Sequence, residues 1–370
     1  MDHAFSKAER ERYDRHFKLP VLGLEGQVRL RAARVLCVGL GGLGAPASLY
    51  LAAAGIGTLG LLDDDLIELT NLQRQVLYST ADIHKAKAEI AQNKLLALNP
   101  NIQIIAYSER LLSGNIENIF SEYDIVIDGS DNFSTHYLIN AACHRLQKPM
   151  VFATLTQTMG RCSVFNAPQG PCYHCLFPNP PAHSMGNCSE IGVLGVLPGL
   201  LGVIQATEVI KLAAQIGEPL IGRVLCVDML RLCFEEYRLE KNNDCPLCSG
   251  LGYSFNTDLI EETNAMNSIT VEELQQLRME QPGDICILDV RRPDEYAICN
   301  INGQLIPFED LPDRLSEIDK NKHIIVHCKS GGRSAKATQI LLEKKFPRVS
   351  NLRGGIMAWA DKIDPDLMRY

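Results

Sequence analysis

Four glycines within six residues, Gly39-Leu-Gly-Gly-Leu-Gly44, constrain this chain more than any other stretch. They follow a short apolar run, Arg34-Val-Leu-Cys-Val, and precede residues 45–54, a helix-forming segment with small side chains on the face that must approach a sheet. Glycines between a strand and a helix let backbone N–H groups close on a phosphate at the helix N-terminus. The alternation continues. Residues 58–63 read as a second strand ending in the acids Asp63, Asp64 and Asp65. Residues 81–98 read as a helix stopped by Asn99-Pro100, and residues 124–129 and 149–154 as further buried strands. This rhythm predicts an α/β fold: an open, mainly parallel sheet with helices on both faces and ligands beyond the carboxyl ends of the strands.

The chain has 370 residues, enough for two cores. Its net charge of −8 argues against a nucleic-acid partner. Its longest apolar stretch, residues 191–206, is interrupted by glycines and Pro198 and reads as a buried loop and helix, not a membrane span. Thirteen cysteines, behind a charged N-terminal segment without an apolar core, suggest a reducing, cytoplasmic setting in which CxxC pairs favour metal or redox chemistry. After Cys248 the composition changes. Residues 251–268 read as a linker between a first domain, 1–250, and a second α/β domain, 269–370.

Gly39, Gly41, Gly42 and Gly44, taken alone, fit a dinucleotide site with Asp63 on a ribose, as in an NAD-dependent oxidoreductase. The residues downstream of Asp63 suit a triphosphate better. Asn71-Leu-Gln-Arg74-Gln75 places a cation between amides, Lys87 lies one helix further on, and Asp131-Asn132 follows a strand where an acid can hold magnesium. Together with Arg12-Tyr-Asp-Arg15 and Ser130-Asp-Asn132, these segments resemble the MoeB/ThiF family, bacterial relatives of ubiquitin-activating enzymes with a Rossmann-like adenylation domain. The resemblance implies adenylation of the C-terminal glycine of a ubiquitin-like sulfur-carrier protein of the MoaD/ThiS type, ending in Gly-Gly. It implies that Asp131 holds Mg2+ and that Arg74 and Lys87 meet the phosphates of ATP. It further implies that Asp63 meets the ribose, and that Arg15 reaches the ATP site of the other subunit of a homodimer.

Cys172-x-x-Cys175 and Cys245-x-x-Cys248 form a tetrahedral zinc signature that ties distant segments together, and the resemblance implies a structural Zn2+ there. Cys188 lies in a proline-rich, aperiodic segment. In the resembled family a cysteine at this place links covalently to the carrier in some members and is dispensable in others.

In the second domain, Cys328 ends an apolar strand and the loop Lys329-Ser-Gly-Gly-Arg333 leads into a helix. Such a loop can curl its N–H groups around the sulfur, with Arg333 nearby to favour an anion. Four residues separate Cys328 from Arg333, a cradle too tight for phosphate and suited to a single sulfur. With Leu288-Asp-Val-Arg291, Asp294-Glu-Tyr296, Arg353-Gly-Gly355 and Trp359, this stretch resembles the rhodanese sulfurtransferases; Asn300 departs from the histidine common there. The resemblance implies a Cys328 persulfide, loaded by a cysteine desulfurase or thiosulfate, that converts the adenylated carrier to a thiocarboxylate. A non-catalytic carrier-binding module is the remaining alternative, and the intact Arg74, Lys87, Asp131 and Cys328 count against it.

Overall fold

The computed structural model describes residues 5–178, 192–249 and 268–369. The chain divides into two compact units, Met1–Phe255 and Asn256–Tyr370. Of the linker read over 251–268, residues 251–267 lie outside the described residues, as does Cys188, while Ser268 already begins a strand.

The first unit is built on an eight-stranded sheet: β1 Arg34–Val38, β2 Thr58–Leu62, β3 Gln103–Tyr107, β4 Ile125–Asp128, β5 Met150–Thr156, β6 Met159–Phe165, β7 Arg223–Asp228 and β8 Cys233–Arg238, in the order β3-β2-β1-β4-β5-β6-β7-β8. The first five run parallel and the last three pair antiparallel. The mainly parallel sheet read from the sequence is present, five of its eight strands running parallel, with an antiparallel extension at one end. The apolar runs explain the split. β1, β2 and β4 are buried on both faces, as parallel strands under helices must be, whereas β8 is largely exposed at the edge. Alternate residues of β1 feed separate cores: Val35 and Cys37 pack with Leu30, Leu51 and Leu201, while Leu36 and Val38 pack with Phe120, Tyr137 and Phe152.

Two helices place the functional loops. The helix Gly44–Ala54 starts directly on the glycine turn and ends on Gly55 in the left-handed conformation. The helix expected over 81–98 begins only at Lys87. Residues Thr80–Asp82 instead form a 3-10 turn in which the Asp82 carboxylate accepts the Ser79 N–H and hydroxyl, and Ala86 bridges to Leu66. The later start makes Lys87 the first residue of the helix. The long apolar helix Val196–Ala214 has the length and composition of a membrane span. It packs on the sheet instead. Buried Gln205 donates to the carbonyls of Asp128 (2.8 Å) and Val151 (3.1 Å), and buried Glu208 accepts the N–H of Leu220 (2.7 Å).

The second unit is a five-stranded parallel sheet of β9 Ser268–Ile269, β10 Ile285–Asp289, β11 Gln304–Leu305, β12 His323–His327 and β13 Val349–Leu352, ordered β11-β10-β12-β13-β9. Its interior carries charge. Arg291 is fully buried and grips Asp289 through Nε (2.9 Å) and Nη2 (2.6 Å), and donates to the Cys299 carbonyl (2.8 Å). A buried guanidinium is tolerated only when its donors are taken this fully.

His327 lies beside this pair. It is fully buried, its ring makes no hydrogen bond, and its Nε2 is 3.4 Å from Asp289 Oδ2. Burial pushes its pKa down to about 4, against the pull of Asp289 and with the push of Arg291. Below the ordinary histidine value of about 6.5 the unfolded chain takes a proton that the folded unit refuses, so stability is present above pH ~6.5 and falls as pH drops toward about 4, by up to ~3 kcal/mol. Trp359, the single tryptophan, belongs to this unit and reports on it alone. Urea unfolding followed by its fluorescence is expected to show this loss between pH 6.5 and 4, and His327→Phe is expected to flatten it; equal slopes in both proteins contradict the assignment.

Candidate functional site

In the first sheet, β1 passes to β2 on one side and β4 pairs on the other, so the carboxyl ends of β1, β2 and β4 face one crevice. The glycine turn fills it. Gly39 has φ +83°, and a Cβ there would lie 2.8 Å from the Gly129 carbonyl oxygen. A Cβ on Gly44 would lie 1.8 Å from the Gly39 oxygen. These two glycines let the loops after β1 and β4 touch and fold the turn on itself.

The Leu40 backbone between them is clamped at both ends. Its N–H donates to Asp63 Oδ2 (2.7 Å), and its carbonyl accepts from the Tyr78 hydroxyl (3.0 Å). The other oxygen of Asp63 accepts the Asp65 N–H (2.9 Å). Lys87, 4% exposed, sets its Nζ 2.7 Å from Asp65 Oδ2 and 4.0 Å from Asp63 Oδ1. Burial raises the Asp63 carboxyl pKa, opposed chiefly by the Lys87 charge and the Leu40 N–H. The Asp63 carboxylate thus serves the loop's backbone first.

Arg74 comes in from the segment after β2. Its Nη1 donates to the Thr70 carbonyl (3.0 Å), and its Cγ lies 3.5 Å from where a Gly42 Cβ would be. Asn71 acts locally: its side-chain oxygen accepts the Glu68 N–H (3.1 Å) and its carbonyl accepts the N–H groups of Arg74 and Gln75, shaping the turn that presents them. Gln75 is buried with its Oε1 unbonded, and its Nε2 is 3.5 Å from where a Gly41 Cβ would be. A buried acceptor left open at the glycine loop fits a site that a ligand completes.

Beyond β4, Asp131 is exposed and Asn132 caps the helix Phe133–Arg145, its Oδ1 accepting the Thr135 N–H (2.9 Å) and the Ser134 hydroxyl (2.9 Å). Arg15 is exposed on the short helix Asp14–Phe17, 3.4 Å from Asp14. The crevice therefore gathers Gly39, Gly41, Gly42, Gly44, Asp63, Arg74, Gln75 and Lys87, with Asp131 at the end of the β4 loop. Asn71 and Asn132 spend their side-chain oxygens on the backbone, and Arg15 points to solvent.

The four cysteines converge. Cys172 Sγ lies 3.8 Å from Cys175 and 3.5 Å from Cys245, Cys175 lies 3.8 Å from Cys248, and all four sulfurs lie within 4.8 Å of one another. A zinc ion with Zn–S bonds of about 2.3 Å spaces its sulfurs ~3.8 Å apart, so the cluster fits Zn2+. It joins the start of the helix Tyr173–Leu176 to the segment after β8.

In the second unit, Cys328 is buried just beyond β12. Its sulfur accepts the Gly331 N–H (3.2 Å) and lies 3.4 Å from the Ser334 hydroxyl. Gly331 takes φ +102°, which turns that N–H inward, and the helix Gly332–Glu343 starts at once. Ser334 carries no motif signal in the sequence. The two Nη atoms of Arg333 form a bidentate pair with Glu295 at 2.6 and 2.7 Å. Asn300, at the departure from the rhodanese pattern, donates to the Tyr296 carbonyl (3.3 Å) and accepts the Asn302 N–H (3.1 Å), shaping a local turn.

Residues 13–247 match the ThiF family, and residues 270–362 match the rhodanese-like domain. The chain is 38% identical to the probable adenylyltransferase/sulfurtransferase MoeZ of Mycobacterium tuberculosis, covering 99% of this chain and 97% of that protein. It is 46% identical to the sulfur carrier protein adenylyltransferase of Thermus thermophilus over 66% of this chain and 92% of that one. Among solved structures, E. coli MccB with MccA superposes with a TM-score of 0.58 at 25% identity, covering 67% of this chain and 76% of that one.

The geometry sets two expected outcomes. Gly44→Ala is expected to force the glycine turn open, lower the melting temperature of the first unit and abolish ATP binding by calorimetry, while sulfur transfer by the second unit persists; wild-type ATP affinity in this variant contradicts the close contact. Elemental analysis is expected to find one zinc per chain. Cys245→Ser, or chelation, is expected to destabilise the first unit broadly, since structural zinc sites contribute on the order of 10 kcal/mol to folding; a metal-free protein with unchanged stability removes zinc from the fold.

Proposed function

The chain belongs to the ThiF family and carries a rhodanese-like domain at its C-terminal end, and on that footing we propose a two-stage enzyme that adenylates the C-terminal glycine of a ubiquitin-like sulfur carrier and then transfers sulfur to it. One observation carries the reading: both chemistries lie on one chain that aligns over 99% of its length with an adenylyltransferase/sulfurtransferase. Residues 1–250 are assigned to adenylation, 269–370 to sulfur transfer and 251–268 to the connection.

The phosphates of ATP rest against the glycine loop and the start of the helix Gly44–Ala54, with Lys87 and Arg74 lowering the repulsion that an incoming carboxylate meets. Asp63 reaches the ribose with the lone pairs that Leu40 and Asp65 leave free, and Gln75 offers its open acceptor to the nucleotide. Asp131 would hold Mg2+, which supplies charge neutralisation to the triphosphate. The carrier carboxylate forms a bond to the α-phosphorus, the bond to the β-phosphate oxygen breaks, and pyrophosphate leaves. The acyl adenylate that results has AMP as a good leaving group.

Cys328, loaded as a persulfide by a cysteine desulfurase or thiosulfate, presents its outer sulfur to that acyl carbon, directly or after the acyl group has passed to Cys188. AMP or the Cys188 thiolate leaves, and a thiol then cleaves the remaining S–S bond to release the thiocarboxylate. We assign the protein to the cytoplasm, where a reducing pool supplies that thiol, and to a homodimer in which exposed Arg15 serves the partner's ATP site.

Separate substitutions divide the two stages. Asp131→Ala is expected to leave the fold intact and to abolish carrier-dependent ATP–pyrophosphate exchange; near-normal exchange excludes Asp131 from the mechanism. Cys328→Ala is expected to abolish thiosulfate-to-cyanide sulfur transfer while exchange continues. A one-sulfur mass gain on the Cys188 peptide with Cys328 unmodified would reverse the assignment of the two cysteines.

A further inference from the structure

One buried polar cluster in the first unit has no part in the chemistry above. Asp128 closes β4 and is fully buried. Its Oδ1 accepts the Ser130 N–H (3.1 Å) and the Ser130 hydroxyl (2.6 Å), and its Oδ2 accepts the Nδ1–H of His136 (2.7 Å). The same Nδ1–H is shared with Ser130 Oγ at 3.1 Å. His136, 3% exposed, comes from the first turns of the helix Phe133–Arg145. Its ring is walled by Phe133 at 6.2 Å, Phe152 at 5.2 Å and Tyr173, the residue after Cys172, at 5.7 Å between centroids.

The donors to this carboxylate come from the loop and the helix turns around Asp131. Ser130, on one side, has its N–H and hydroxyl both taken. Asn132, on the other, is locked as the helix cap. Asp131 itself is exposed between these two fixed neighbours. A buried carboxylate is costly unless its partners are well placed. Here the partners serve one short loop, whose next residue is the exposed acid.

We propose that Asp128, His136 and Ser130 are positioning residues that fix the Asp131 carboxylate for the metal of the bound nucleotide. The inference rests on the adenylation reading. His136 never touches the metal or the phosphates. It anchors Asp128, Asp128 anchors Ser130, and Ser130 sets the backbone from which Asp131 projects. Removing the Nδ1–H frees one side of the carboxylate and loosens that chain of contacts. The tilted contact of His136 with Tyr173 also seats the segment bearing Cys172 against the same helix.

The test measures Mn2+ binding to the full chain in the presence of a non-hydrolysable ATP analogue, counting free Mn2+ by electron paramagnetic resonance. His136→Leu is expected to weaken Mn2+ binding about tenfold, and His136→Asn, whose amide N–H replaces the Nδ1–H, to restore it to within about threefold. The affinity for the analogue without metal is expected to stay within about twofold in both, and thiosulfate sulfur transfer to be unchanged. A folded His136→Leu protein that binds Mn2+ like wild type overturns the proposal. So do Leu and Asn variants that lose affinity equally, since that outcome marks a packing role alone. Where His136→Leu does not fold, Ser130→Ala carries the test, and an unchanged Mn2+ affinity in it is equally decisive against the proposal. A wild-type chain that binds no Mn2+ with the nucleotide overturns the adenylation reading and this inference with it; wild-type binding matched by His136→Leu overturns the inference alone.

Discussion

The adenylation site depends on one buried carboxylate. Asp63 sits at the end of β2 and accepts the Leu40 N–H at 2.7 Å, so the loop after β1 is fastened to the neighbouring strand. The Tyr78 hydroxyl holds the carbonyl of the same residue, in the next peptide group. With Leu40 pinned, Gly39 must turn with positive φ and Gly44 must pass against its carbonyl, which leaves the helix Gly44–Ala54 starting in the crevice. Lys87 is drawn in by the same acids. A buried ammonium this close to a nucleotide crevice is stable only because Asp65, at 2.7 Å, and Asp63 offset its desolvation. One carboxylate thus fixes the glycine loop and helps draw Lys87 into the same crevice.

Both units place an anion where a strand runs into a helix, but the scale differs. In the first unit a long glycine turn lines the crevice, and Arg74 and Lys87 arrive from separate segments. In the second, the loop after β12 is so short that the Gly331 N–H and the Ser334 hydroxyl close on one sulfur. Arg333 of that loop is held bidentate by Glu295, which ties the loop to the helix Pro293–Ile298.

Much of this is legible in the sequence, because it rests on local pattern. Apolar runs give the strands, the glycines give the turn, and paired CxxC spacings give the sulfur cluster. The illegible part depends on contacts through space. Nothing in the apolar run of residues 125–128 says that Asp128 is met by His136 eight positions later. The helix containing Lys87 reads as starting too early because Ser79 and Asp82 close a small turn whose partner, Lys94, lies further along that same helix. Asn71 and Asn132 share a motif with ligand-binding neighbours, yet their short side chains reach the backbone first, as asparagine does at turns and caps. The loop motif likewise does not announce that Arg333 pairs with Glu295, distant in sequence.

The pairing of the two units follows from the chemistry between them. An acyl adenylate is activated toward any nucleophile, and water is always present. Sulfur must therefore arrive at a concentration and nucleophilicity that outrun hydrolysis. Carrying the donor and the activating unit on one chain makes their encounter intramolecular, which is the general advantage of tethering. The Cys328 sulfur is buried in the loop after β12, and Lys87 and Arg74 stand at the glycine crevice of the first unit. Each intermediate is made in a place that protects it, and the covalent link between the units shortens the time each must survive outside.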